Sequence, residues 1–348
     1  MLRLIENRQL VHILVLFMIV QFGGLLVASL VFSTTPPVVI TSSSETVSAS
    51  QVIEYFGYIV LATLVILLVF KVYHGNLLFI LLEAYVVGVS SFFVFAIIIS
   101  YLLPALAANY VYLLSIALAL ALIIAKNKKP RLRNVATIFA SIGVGVVLGF
   151  IFSIYIAYLF MLIIAIYDYV AVFVTKHMVT LANALSTRNL AFLIGTADVE
   201  LLPSSYLKKK EMKDYAKYKS ELKKSGNPIL LKLLKSNKYP IVSQIQLGAG
   251  DLGIPLMVAV SAYTVFFNYF LSVMVIIGAA FGLIATMVFL RVYKKPLPAI
   301  PPLFSFVSIF LGIGILAKIG SNVAAYIFIL VGAAAFLVTM MLETRKVK

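Results

Sequence analysis

The sequence predicts an all-α fold, a polytopic membrane bundle of about ten transmembrane helices. Three observations predict it. Of 348 residues, 63% are hydrophobic and only 11% charged, where a soluble domain carries about 25% charged residues. The apolar residues fall in runs long enough to cross a bilayer, which takes about 20 residues at 1.5 Å each. The basic residues gather in alternate connections between those runs, the pattern that sets membrane orientation.

By length, the spans lie near 10–33, 53–73, 76–101, 105–125, 135–154, 155–177, 241–264, 268–290, 298–318 and 322–342. The first runs from Leu10 to Phe32, too long for a signal-peptide core, and is expected to be a retained helix. An outer loop follows, Ser33–Ser50, rich in Ser, Thr and Val, with Pro36-Pro37 and no basic residue. Lys71 marks the inner end of the second span, and the Lys126–Arg133 cluster separates the fourth from the fifth. The fifth and sixth form an almost unbroken apolar stretch, with a reversal expected near Gly149–Ser153, where small residues interrupt it. Lys176 and His177 close the sixth, Lys238 precedes the seventh, and Arg291, Lys294 and Lys295 separate the eighth from the ninth. With the N-terminus inside, 27 of the 28 basic residues fall on the inner side, and only Lys318 falls outside. Both termini and the 178–240 loop are therefore expected to be cytoplasmic. The same placement argues against nucleic acid as the reason for a net charge of +16.

Three parts follow. Residues 1–177 form an N-terminal six-helix membrane scaffold, 178–240 a basic cytoplasmic loop, and 241–348 a C-terminal membrane part. Within the loop, Leu207, Met212, Tyr215, Tyr218 and Leu222 keep helical spacing among lysines. Ser204 or Ser205 can cap that segment, and Gly226 and Pro228 stop it. It reads either as a basic amphipathic helix on an anionic leaflet or as a solvated tether. The chain has no Cys, which excludes disulfides and thiolate-ligated metals.

Chemistry is pointed to by the aspartates. Only four occur, and two of them, Asp168 and Asp251, lie inside apolar runs. An ionisable group at membrane depth costs about 2.5–3.5 kcal/mol on insertion scales and marks a functional site by default. Asp168 lies eight residues before Lys176 and Asp251 thirteen beyond Lys238, about 12 and 20 Å along a helix. A few residues of unwound backbone before Gln244 would bring both to the inner half of the membrane on neighbouring antiparallel helices. Gly248 and Gly250 let a second helix or an extended substrate backbone approach Asp251, and Pro255 loosens the helix there. Tyr167 and Tyr169 put phenols beside Asp168. Two close carboxyls in a poorly solvated site share one proton, so one can activate water while the other polarises a carbonyl. Pro298-Ala299-Ile300-Pro301-Pro302 cannot begin as ordinary helix. Such backbone is tolerated at depth only where it is buried or lines a cavity, so it is expected to form part of the site wall.

Tyr167-Asp168, then Gly248-Ala249-Gly250-Asp251, then Pro298-Ala299-Ile300-Pro301, on the sixth, seventh and ninth spans, together resemble the presenilin/signal peptide peptidase family of intramembrane aspartyl proteases. That family carries Tyr-Asp, Gly-x-Gly-Asp and Pro-Ala-Leu motifs on the same spans. By motif the resemblance covers roughly 155–318; over the first six spans it rests on their count. It implies a presenilin-like bundle with Asp168 and Asp251 as the catalytic pair. It also implies that Pro298, Ala299 and Ile300 form the loop beside the active site, and that no cofactor is needed. Expected partners are transmembrane helical substrates and the lipid bilayer, with a homo-oligomer as a further option. Two departures stand out: Ile300 replaces the family's Leu, and a tenth span exceeds the usual nine.

Other readings compete. No His-Glu-x-x-His pattern occurs, and the histidines, His12, His74 and His177, sit at span edges. A serine–histidine dyad or a zinc site therefore lacks its residues. A proton- or ion-coupled transporter would use Asp168, Asp251 and Glu83 in the third span. It predicts broken helices in symmetrically related halves, whereas here the acids and prolines gather in the C-terminal half. Glu83 reads more simply as a buried acid bonded within the bundle. A membrane scaffold would use both aspartates only to bridge helices.

Overall fold

Apolar runs with no water to satisfy their backbone must close their hydrogen bonds internally, and helices do so. The structure is a computed structural model describing residues 7–34, 77–128, 132–175, 193–203, 238–266, 269–293, 297–320 and 322–345, with six further positions between 50 and 65. Its helices are α1 (Asn7–Thr34), α2 (Leu77–Leu102), α3 (Ala108–Lys128), α4 (Leu132–Ile151), α5 (Ile154–Tyr169), α6 (Ala249–Phe266), α7 (Tyr269–Tyr293), α8 (Ile300–Ile319) and α9 (Val323–Arg345). Among the described residues, nine helices are long and apolar enough to cross a membrane. The span expected at 53–73 lies outside the described residues but for a few positions, as does the amphipathic segment at 207–222. The reversal between α4 and α5 falls at Phe152–Ser153, inside the expected window.

Two expectations are corrected. The seventh span does not begin at 241: Lys238–Gly248 is a β-strand (β2), paired antiparallel with β1 (Leu193–Pro203) from Leu193↔Gly248 to Pro203↔Lys238. The 178–240 loop thus contains a strand within it, and the boundary at 240/241 falls inside β2. The sixth span, expected as one helix to 177, is α-helical only to Tyr169 and continues as a π-helix over Val170–Val174. A turn of that kind is rare and frequently accompanies function.

The core is centred on α6 and α8, the two most enclosed helices, whereas α3 and α9 turn most of their surface outward. Without a hydrophobic drive between helices in lipid, close approach depends on small residues. Gly145 and Gly149 of α4, spaced as Gly-x-x-x-Gly, seat α6. A Cβ on Gly145 would lie 2.9 Å from the Gly253 carbonyl oxygen, and one on Gly149 2.6 Å from Val260. Gly278 and Gly282 of α7 seat α8 in the same way. Buried hydroxyls add cross-links: Ser261 Oγ donates to the Phe152 carbonyl at 2.7 Å. Ser308 Oγ of α8 donates to the Phe328 carbonyl of α9 at 2.5 Å, so the Tyr158 hydroxyl of α5, 2.7 Å away, donates to Ser308.

Glu83 is buried in α2 and accepts from Lys126 Nζ of α3, itself buried. It is thus a paired acid within the bundle, and its partner was not foreseen.

Candidate active site

Asp168 is the last residue but one of α5, immediately before the π-helical turn, and its side chain is buried. Asp251 is the third residue of α6. Because β2 takes up the backbone to Gly248, Asp251 sits at the start of its helix rather than deep along it. Asp168 thus lies in the last turn of α5 and Asp251 in the first turn of α6.

Local chemistry fixes each carboxyl. Gly248 occupies the N-cap of α6, and its backbone N–H donates to Asp251 Oδ2 at 3.2 Å. That is one half of a capping box, an acid at the third helical position reaching back to the cap amide. The positive end of the helix dipole favours a carboxylate there as well. Gly248 has no side chain to return the bond, and a Cβ on it would stand 3.2 Å from Asp251 Oδ2.

Pro298, Ala299 and Ile300 are all buried, and α8 begins at Ile300. A helix start leaves its first amide donors without intrahelical partners. Here Pro301 and Pro302 carry no N–H, and the Ile300 N–H donates to Asp168 Oδ2 at 3.3 Å in a buried setting. The proline-rich segment thus meets Asp168 directly, as expected of a site wall. Asp168 and Asp251 in turn are near enough for the charge on one to act on the other. Tyr167 is half-buried beside Asp168.

Gly250 is the exception among the motif residues. It is exposed, and a Cβ built on it meets nothing within 4 Å among the described residues. Among the described residues, no helix uses the approach it offers. It borders an apolar cavity of about 130 Å³ lined also by Val86 and Val87 of α2, Ser141 and Val144 of α4, and Gly253. The arrangement offers two carboxyls within electrostatic reach of each other, a backbone N–H on each, and open space at Gly250 beside Asp251. Sequence reading passed over two polar side chains near Asp251, Gln21 and Ser141. A lone amide in the apolar run of the first span was the signal for Gln21.

The signal-peptide peptidase, presenilin aspartyl protease family model matches residues 14–319. A solved structure of a presenilin family intramembrane aspartate protease aligns with a TM-score of 0.55 at 15% identity, covering 89% of this chain and 98% of that one. At that identity the likeness speaks for the fold alone. No curated protein matches. The family match spans every helix that carries a motif and stops short of α9. A multi-pass helical membrane protein with this match is an intramembrane aspartyl protease, and the chain belongs to the signal-peptide peptidase, presenilin aspartyl protease family.

Proposed function

We propose that Asp168 and Asp251 are the catalytic pair of this protease, and that it cuts peptide bonds of single transmembrane helices near their inner half. The observation that carries the reading is the convergence of three separate segments on the acids. The Ile300 N–H bonds Asp168, the Gly248 N–H bonds Asp251, and each carboxyl lies within electrostatic reach of the other.

The chemistry follows from a shared proton. The ionised carboxyl takes a proton from water as the oxygen attacks the scissile carbonyl, while the protonated carboxyl donates to the carbonyl oxygen. The tetrahedral diol collapses when the amine leaves with a proton, and the pair returns to its starting state. The proton belongs to the pair rather than to either acid, since two interacting groups titrate as one unit. Both come from one chain, so a single copy contains the dyad. Pro298, Ala299 and Ile300 support Asp168 by orienting it, and Tyr167 flanks it. Gly248 supports Asp251, and the open side of Gly250 suits an extended, unwound substrate backbone. In this reading 1–177 is scaffold ending in the helix that supplies Asp168, the part from β2 onward completes the site, and both termini and the connection between those parts face the cytoplasm, following the basic residues.

Reconstituted with a transmembrane substrate, Asp168→Asn and Asp251→Asn should each abolish cleavage while the protein still folds, and a transition-state-type aspartyl inhibitor should block the wild type. Cleavage surviving in either variant overturns the assignment.

A further inference from the structure

We propose that Gln21 and Ser141 are positioning residues that hold the first turn of α6, and with it the Asp251 carboxyl, in register with Asp168. The inference rests on the reading of Asp251 as half of the dyad. Gln21, fully buried on α1, donates through Nε2 to the Leu252 carbonyl at 2.9 Å. Ser141, buried on α4, donates through Oγ to the Ala249 carbonyl at 3.3 Å. These carbonyls lie on either side of Asp251, one residue after it and two before. Two helices distant in the chain therefore bond the backbone of one short turn.

That turn needs outside support. Pro255 has no N–H to give the Asp251 carbonyl, so the helical ladder lacks a rung at the acid itself. Gly248, Gly250 and Gly253 contribute no side-chain packing around it, and the Gly250 side borders a cavity. The missing rung, and the open space on the Gly250 side, would leave the turn able to shift. A displacement of about 1 Å in a catalytic group can reduce a rate roughly a hundredfold.

The chemistry of Gln21 separates positioning from filling. Its Oε1 is buried and has no hydrogen-bond partner among the described residues. Burying an unbonded amide oxygen is unfavourable, and a Met or Leu of similar size would fill the same place without that cost. What the amide supplies and an apolar residue cannot is the Nε2 donor to the turn.

The test compares Gln21→Met, Ser141→Ala and Ser141→Thr with wild type and Asp251→Asn, each purified and reconstituted with a fluorogenic transmembrane peptide. Turnover, KM and the thermal unfolding midpoint are measured on the same preparations. Gln21→Met and Ser141→Ala should each lower kcat about tenfold, a fraction of the loss a full ångström would bring, with KM and the midpoint little changed. Ser141→Thr, whose hydroxyl remains and whose methyl has the cavity beside it, should recover most of the loss. The proposal is overturned if kcat is unchanged in both variants. It is equally overturned if the loss appears in KM, tracks a lower unfolding midpoint, or is not relieved by threonine. Activity in Asp251→Asn would instead bring down the dyad reading itself, a result recognisable because it does not involve Gln21 or Ser141. Should Gln21→Met fail to fold, the two Ser141 variants decide the matter alone.

Discussion

Single atoms separate the roles of the two motif glycines. Gly248 has a Cβ position pressed against Asp251 Oδ2, whereas Gly250 opens on space. Gly248→Ala is therefore expected to disturb the acid in the absence of any substrate. Gly250→Ala should leave the unfolding midpoint within about 1 °C, since an added methyl there meets none of the described residues and Gly→Ala changes in compatible backbone are at most mildly stabilising. If Gly250→Ala nonetheless raises KM for a transmembrane peptide, the open side is where substrate backbone runs; an unchanged KM removes that role. Glu83 makes a different point. Its carboxylate and the Lys126 ammonium are both buried, so Glu83→Gln strands a charge and should cost about 3–5 kcal/mol. Adding Lys126→Met should recover much of it, read as unfolding midpoints in detergent. The pairing also takes from a transporter reading the third acid it would have used.

Between helices, the decisive contacts are backbone against backbone. Gly282 of α7 lies where a Cβ would stand 2.6 Å from Leu303 Cα and 2.9 Å from the Pro302 carbonyl oxygen. Neither atom can swing aside, and both belong to the helical turn whose first N–H reaches Asp168. Gly282→Ala should cost about 1–3 kcal/mol by overpacking and slow cleavage as well. Gly88→Ala is the control, because its Cβ would meet only the end of Ile123 at 3.4 Å. These glycine seats stand in the sequence as Gly-x-x-x-Gly spacing in residues 145–149 and 278–282, although spacing alone does not say which helix each one faces. The strand before Asp251 was harder to see. Ile241, Val242, Ile245 and Leu247 extend the apolar run of α6, and a short β-branched stretch has no period of its own against a helix. Only Ser243, Gln244 and Gln246 hinted that the helix starts later. The π-turn after Asp168 left no trace in Val170–Val174, five apolar residues that suit an α-helix equally well.

Among the described residues, nine of the ten expected spans and the three motifs could be read directly, because lipid imposes length and the acids stand out against it. What resisted was everything set by tertiary contact: the Lys126 partner of Glu83, the amide of Gln21, and the seating of α9. That last helix lies beyond the family match, yet it is bonded through Ser308 to Tyr158 on the Asp168 helix, and Gly332 brings it against the Ser305 carbonyl at a would-be Cβ distance of 2.6 Å. A chain ended at Gly320 should therefore unfold at a lower temperature, checked by thermal denaturation in detergent, although both acids remain. Orientation can be tested cleanly because the native chain has no cysteine. Thiols introduced one at a time by Leu2→Cys and Val347→Cys should react with an impermeant reagent from the inner face only, and Ser43→Cys from the outer face; opposite labelling reverses the proposed topology.

The junction at Gly248, where a strand becomes a helix with no connecting loop, has a mechanical consequence. A two-stranded ribbon eleven residue pairs long ends three positions from an acid. A pull on that ribbon therefore reaches the carboxyl through only two intervening residues, Ala249 and Gly250.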